Sequence, residues 1–151
     1  MYIGHWLSDC VDLGGGNVSR IYMEIGSDLK INLAFLTYTD VNCVGTYALT
    51  DNLGNTITEA KYTQNFSEEP VEDIPANFFV LKLTDITTFV VQYIVLYAND
   101  HEFYELVGFT TPHETWTQWQ GEADVFGFGA DPITYEPTTF TKYHFTKSEL
   151  P

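Results

Sequence analysis

Positive charge is what this chain has least of. Its 151 residues hold 6 Lys and Arg against 21 Asp and Glu, a formal net charge of −15, and Arg20 is the only arginine. Nucleic-acid binding needs cationic groups that displace counterions from phosphate, so nucleic acid is excluded as a partner. The same deficit argues against adhesion to anionic membrane surfaces. Metal cations and basic partners remain allowed, but the simplest role of the charge is to keep an aromatic-rich fold soluble. Long apolar runs are missing as well. The most apolar stretch, 89–98, is interrupted by Gln92 and falls short of the roughly 20 residues that span a bilayer, so no membrane-spanning segment is expected. No basic region followed by an apolar stretch opens the chain, because Met1-Tyr2-Ile3-Gly4 runs directly into a strand pattern. Two readings of that start stand side by side: a cytosolic protein, or a mature exported domain behind an added Met. Cysteine is confined to Cys10 and Cys43. Parity permits one disulfide, and the structural look of the two positions favours the exported reading.

What is present points to strands. Hydrophobic residues make up 44%, ordinary for a folded chain, but aromatics reach 16%, with eleven Phe and ten Tyr. That composition fits pleated, half-buried surfaces. The length suits one domain over 1–151, and no repeat or linker divides it. Alternation is clearest over 18–25, with Ile21, Met23 and Ile25 on one face and Arg20, Tyr22 and Glu24 on the other. Further strands are expected over 3–9, 29–38, 43–50, 56–66, 78–84, 87–97, 102–109 and 140–146. Turn residues separate them, including the hairpin sequence Asp51-Asn52-Leu53-Gly54-Asn55. Thr111-Pro112-His113-Glu114 reads as a capping box, with Gly121 as the stop, so one helix is expected over 112–120. An all-β antiparallel meander of about eight strands with one short helix closes most simply into a barrel, which removes the exposed edges. Met23, Phe35, Tyr47, Phe89 and Tyr93 are expected inside it, and their size favours a filled or narrow interior.

Two resemblances sharpen this. Gly4-His5-Trp6 resembles the Gly-x-Trp of the calycins, the lipocalins and avidins, in which the Trp packs across the base of the barrel. Gly45-Thr46-Tyr47 is similar to a strand of the avidins. The resemblance implies a lipocalin-like barrel. The lipocalin Thr-Asp-Tyr and late Arg have no counterpart, and no avidin biotin-site residue carries over. Separately, Trp6-Leu7-Ser8-Asp9-Cys10 together with the segment from Tyr38 to Gly45 is similar to a recurring pair in small exported bacterial proteins, often lipoproteins, of unknown function. That likeness implies a periplasmic or extracellular location, with a lipid anchor in the precursor, and a Cys10–Cys43 bridge. It implies no activity. The bridge also suits the meander, since the two positions follow the first strand and precede the fourth.

Catalytic and metal motifs are wanting. His101, Glu102 and Glu105 lie close in sequence, but the two acids fall on opposite faces of one strand, and His113-Glu114 lacks a partner at position 117, which is Thr. The acidic loop from Glu68 to Asp73 has no calcium-loop spacing and reads as solvated. No serine sits in a Gly-x-Ser-x-Gly elbow. No cofactor is implied. The expectation is therefore a non-enzymatic exported barrel that binds a small apolar or aromatic ligand, or a protein partner. The alternatives are a structural or surface accessory protein with a filled barrel, and, with least support, an enzyme. If there is a ligand, Trp116, Trp119, Tyr93 and Tyr97 are expected to touch it near the barrel mouth, as aromatics with polar tips; the competing role for the same residues is to seal the core. Phe126 and Phe128 belong to the same aromatic group.

Overall fold

The computed structural model describes residues 2–12, 18–105, 110–125, 129–130, 137–139 and 143–151. Its elements are β1 (Gly4–Ser8), β2 (Val11–Asp12), β3 (Val18–Ile25), β4 (Lys30–Tyr38), β5 (Tyr47–Thr50), β6 (Lys61–Glu68), β7 (Phe78–Asp85), β8 (Val91–Ala98), β9 (Glu102–Glu105), α1 (Trp116–Val125), β10 (Gly129–Ala130), β11 (Pro137–Thr139) and β12 (Tyr143–Lys147). Taken in chain order, β1, β3, β4, β6, β7, β8, β9 and β12 each pair antiparallel with the next, and β12 pairs back onto β1. The result is the expected closed eight-stranded antiparallel barrel with one short helix. β2 prolongs the line of β1 along β3, and β5 lies along the second half of β4. β10 and β11 form a separate pair.

The alternation of β3 and β4 dictates which way they face. Ile21, Met23, Ile25 and Ile31 enter the interior cluster, while Tyr22, Ala34 and Leu36 pack outside. Part of the interior is solidly filled by Tyr2, Trp6, Phe66, Leu96 and Ala98. Trp6 is fully buried. Its indole N–H donates to the Tyr2 carbonyl at 2.9 Å, and its ring lies 5.5 Å from that of Phe103. Gly4 has φ +148°, and a Cβ there would stand 3.2 Å from Cε of Lys147. The Gly-x-Trp spacing therefore serves a close strand contact and a core plug.

The outer wall is also apolar, and two segments cover it. One cover is α1. Trp116 and Trp119, three residues apart on one helix face, pack on Phe78, Val80, Tyr93, Val95 and Tyr97, the outward residues of β7 and β8. The other is the excursion between β4 and β6 with the C-terminal tail, which buries Leu7, Val18, Tyr22 and Leu36 under Cys43, Ile57 and Leu150. The Tyr47 hydroxyl donates to the Pro151 carbonyl, tying that tail down.

Cys10 and Cys43 are bonded, with Cα atoms 5.7 Å apart. Register explains the meeting. Asp12 pairs with Val18 and Val18 with Tyr38, so the segment after β1 and the segment after β4 emerge side by side.

Several boundaries differ from expectation. The fourth expected strand starts at Tyr47 and not at 43, because a turn over 40–43 precedes it, closed by Cys43 N–H to the Asp40 carbonyl. The expected strand over 56–66 begins only at Lys61. The helix runs Trp116–Val125 instead of 112–120. Thr115 is its N-cap: its hydroxyl accepts from the Gln118 N–H at 3.4 Å, and the Gln118 side chain accepts from the Thr115 N–H at 3.2 Å. This is a capping box one turn later than Thr111-Glu114, and Gly121 lies inside the helix. The acidic loop is not wholly solvated. Val71 and Ile74 join the cluster beneath α1, and the Glu72 backbone bonds to Glu114 and Trp116. The 106–109 end of the eighth expected strand, and Phe126 and Phe128, lie outside the described residues.

Candidate functional site

The unfilled part of the barrel interior is a cavity of about 330 Å³. That is the lower end of the range for small-molecule sites, about 300–1,000 Å³. Its wall is mostly apolar: Ile21, Met23 and Ile25 from β3, Ile31, Leu33 and Phe35 from β4, Leu81 and Leu83 from β7, Ile94 from β8, with Phe103 and Phe145. Four polar side chains complete it, one from each of four strands: Gln64 on β6, Gln92 on β8, Glu105 on β9 and Tyr143 on β12. Leu81, Phe103 and Phe145 are buried, whereas Gln64, Glu105 and Tyr143 are half-buried and Gln92 is exposed. The cavity thus runs from a dry apolar floor to a polar rim open to water.

Alternation places each rim residue. Phe103 points inward, so Glu105, two residues on, does too, across from its pairing partner Tyr143. Ile94 points inward, so Gln92 does as well. Turns brace this end. Gln64, Asp85, Thr88, Val90 and Gln92 line a recess beside the rim. Asp85 holds the β7–β8 turn by accepting from the Thr87 and Thr88 N–H groups, both at 2.8 Å. Those bonds, the one from Thr88 foremost, hold its carboxyl below the ordinary 3.8. Asp51 does the same in the neighbouring hairpin, held low first by the Asn55 N–H.

Of the residues expected inside, Met23 and Phe35 line the cavity. Tyr93 faces outward, Tyr47 packs on Tyr38 in the outer cluster, and Phe89 is 75% exposed in the β7–β8 turn. For Tyr93 the reason is that β8 is apolar on both faces, since α1 covers its outer side, and a run of that kind carries no period from which to read a face.

The four aromatics expected at a mouth do come together, but on the outer wall. Trp119 lies 5.7 Å from Tyr93, Trp116 4.7 Å from Phe78, and Phe78 5.2 Å from Tyr97. All four are buried, and none lines the cavity. They pack between α1 and the outward faces of β7 and β8. The residues that sequence reasoning passed over are Gln64, Gln92, Glu105 and Tyr143. The available signal was polarity at inward positions of otherwise apolar strands, most visible at Gln92.

The titratable clusters lie elsewhere. On the outer wall His144 sits between Asp9 (Nδ1 to Oδ2, 2.8 Å) and Glu102 (Nε2 to Oε1, 3.3 Å), with the Tyr104 ring stacked on it at 4.6 Å. Burial, then the Glu102 charge, raises the Tyr104 phenol. His5 meets the Tyr22 hydroxyl at 2.6 Å, with Glu24 and Glu149 3.5 and 3.4 Å away. Glu102 and Glu105 do fall on opposite faces of β9. Among the described residues no group of three or more His, Cys, Asp or Glu is placed to hold a metal ion, and no helix is long and apolar enough to cross a membrane. No protein-family profile, curated protein or solved structure matches this chain.

Proposed function

We propose that this protein is a small-ligand-binding barrel that works outside the cytoplasm and binds its ligand without transforming it. The cavity carries the reading. An interior meant only for support would be packed to the density of other cores, whereas this one is filled around Trp6 and left open for about 330 Å³ beside it. The wall composition, a broad apolar surface with a few convergent polar groups, is that of binding sites in general. Gln64, Gln92, Glu105 and Tyr143 bring the polar groups of the wall, and no nucleophile–base pair stands among them. The Cys10–Cys43 bond supports an oxidising compartment, where disulfides persist.

Titration with the neutral fluorophore N-phenyl-1-naphthylamine tests the reading. Wild-type protein is expected to enhance its emission saturably. Leu83→Trp, which fills the cavity, is expected to weaken that binding at least about tenfold while the far-ultraviolet circular dichroism is kept; Ile21→Phe provides a second obstruction should the first variant misfold. Equal binding by wild type and both obstructed variants would place the dye elsewhere and remove the basis of the proposal.

A further inference from the structure

We infer that the cavity takes a small molecule with an apolar body and an uncharged polar head, a hydroxyl or a carboxamide, held by the side-chain amides of Gln64 and Gln92; this rests on the ligand-binding reading above. The two glutamines stand on β6 and β8, the strands that flank β7, where Gln64 pairs with Asp85 and Gln92 with Leu83. Asp85 and Leu83 are two residues apart, so both glutamines lie on one face of the sheet, a single step out of line across β7. Both line the cavity and also the recess beside its rim. Their amides therefore stand where the apolar interior meets water. Neither amide has a hydrogen-bond partner among the described residues, whereas the Asp85 carboxylate beside them is taken up by the Thr87 and Thr88 N–H groups. Glu105 and Tyr143 have partners of their own within the chain, and the head-group contact does not call on them. Each amide offers an acceptor oxygen and two donor hydrogens, which together match a head that both donates and accepts. An ionised acid fits this place badly. It loses hydration on entering, and no Lys, Arg or His stands among the described lining residues to compensate it. The net charge of −15 repels it before contact as well. A volume of about 330 Å³ limits the body to a short alkyl chain or a single ring system.

Hexanamide and hexanoate at pH 7 and physiological salt test this, because they share one body and differ in the charge of the head; toluene, which has no polar head, is the control. Binding is read from shifts of the Ile21, Ile25, Ile31 and Ile94 methyl resonances, which report from the cavity wall. Wild-type protein is expected to bind hexanamide about tenfold tighter than hexanoate. Methionine keeps the length of glutamine without its amide. In the Gln64→Met, Gln92→Met double variant hexanamide is expected to weaken about tenfold, while toluene is unchanged within about twofold. The single variants, each expected to weaken hexanamide about threefold, serve should the double variant misfold. Hexanoate binding within about threefold of hexanamide, hexanamide failing to bind where toluene does, or hexanamide affinity unaltered in the methionine variants would overturn the head-group inference and leave the binding reading intact. No cavity resonance moving with any of the three compounds would overturn both.

Discussion

The hydroxyl of Ser8 accepts a hydrogen bond from the backbone N–H of Ile21 at 2.7 Å, with both residues buried. The contact falls where the β1–β3 ladder ends at Leu7 and Tyr22, just before the chain shifts toward β2. The side chain thus stands in for a missing backbone carbonyl. This accounts for the Trp-x-Ser-x-Cys spacing: Trp6 plugs the interior, Ser8 closes the ladder, and Cys10 anchors the next segment. Ser8→Ala leaves the Ile21 N–H unsatisfied in a dry site. A loss of about 1–3 kcal/mol is expected in urea unfolding, and a loss below about 0.5 kcal/mol would show that another acceptor takes over.

The Cys10–Cys43 bond closes a 33-residue separation. On the chain-entropy account it stabilises by roughly 3–4 kcal/mol, by constraining the unfolded state. Guanidinium unfolding of wild type and of the Cys10→Ala, Cys43→Ala double variant measures this. Coincident midpoints would mean that the outer cluster around Cys43 holds the excursion without help.

Trp116 and Trp119 are both buried beneath α1, but their indole N–H groups differ. That of Trp119 donates to the His113 carbonyl at 3.1 Å, while that of Trp116 has no hydrogen-bond partner among the described residues. Trp119→Phe loses volume and a bond, and is expected to cost about 2–4 kcal/mol. Trp116→Phe removes an unsatisfied donor along with volume, and is expected to cost about 1 kcal/mol less. Thermal denaturation of the pair gives the ranking, and the reverse order would refute this account. Neither variant is expected to change binding of the naphthylamine probe, since neither residue lines the cavity.

Asp85 holds its turn through a carboxyl kept below 3.8 by the Thr88 and Thr87 N–H groups. A group whose folded value is depressed contributes fully above its unfolded value and loses that contribution as pH falls through the folded one. Between about pH 5 and pH 2, wild type is therefore expected to lose stability more steeply than Asp85→Asn, which keeps an acceptor without titrating. Parallel profiles would show that the turn is indifferent to this charge.

Much of the architecture was legible because it depends on local chemistry. Over β3, where Arg20 and Glu24 mark the outward set, the period-2 pattern correctly gave the inward set. Where both faces are dry, as along β8, it placed Tyr93 inside when the residue lies outside. The helix was misplaced by one turn for a related reason. Thr111-Pro112-His113-Glu114 and Thr115-Trp116-Thr117-Gln118 both satisfy the capping pattern, and the choice between them rests on burying Trp116 and Trp119 against β7 and β8. That contact joins residues more than twenty positions apart.

By itself the sequence determined the strand-rich class, the meander, the scarcity of cationic groups, and, since Cys10 and Cys43 are its two cysteines, the partners of any disulfide within the chain. These follow from composition, alternation and turn residues, which act over a few positions. Only the tertiary structure decided that the aromatics seal the outer wall while Gln64, Gln92, Glu105 and Tyr143 converge inside. A closed barrel gives every strand two faces, and which face is lined by a cavity and which by a covering helix depends on closure and shear. Those are properties of all eight strands together, and no single segment encodes them.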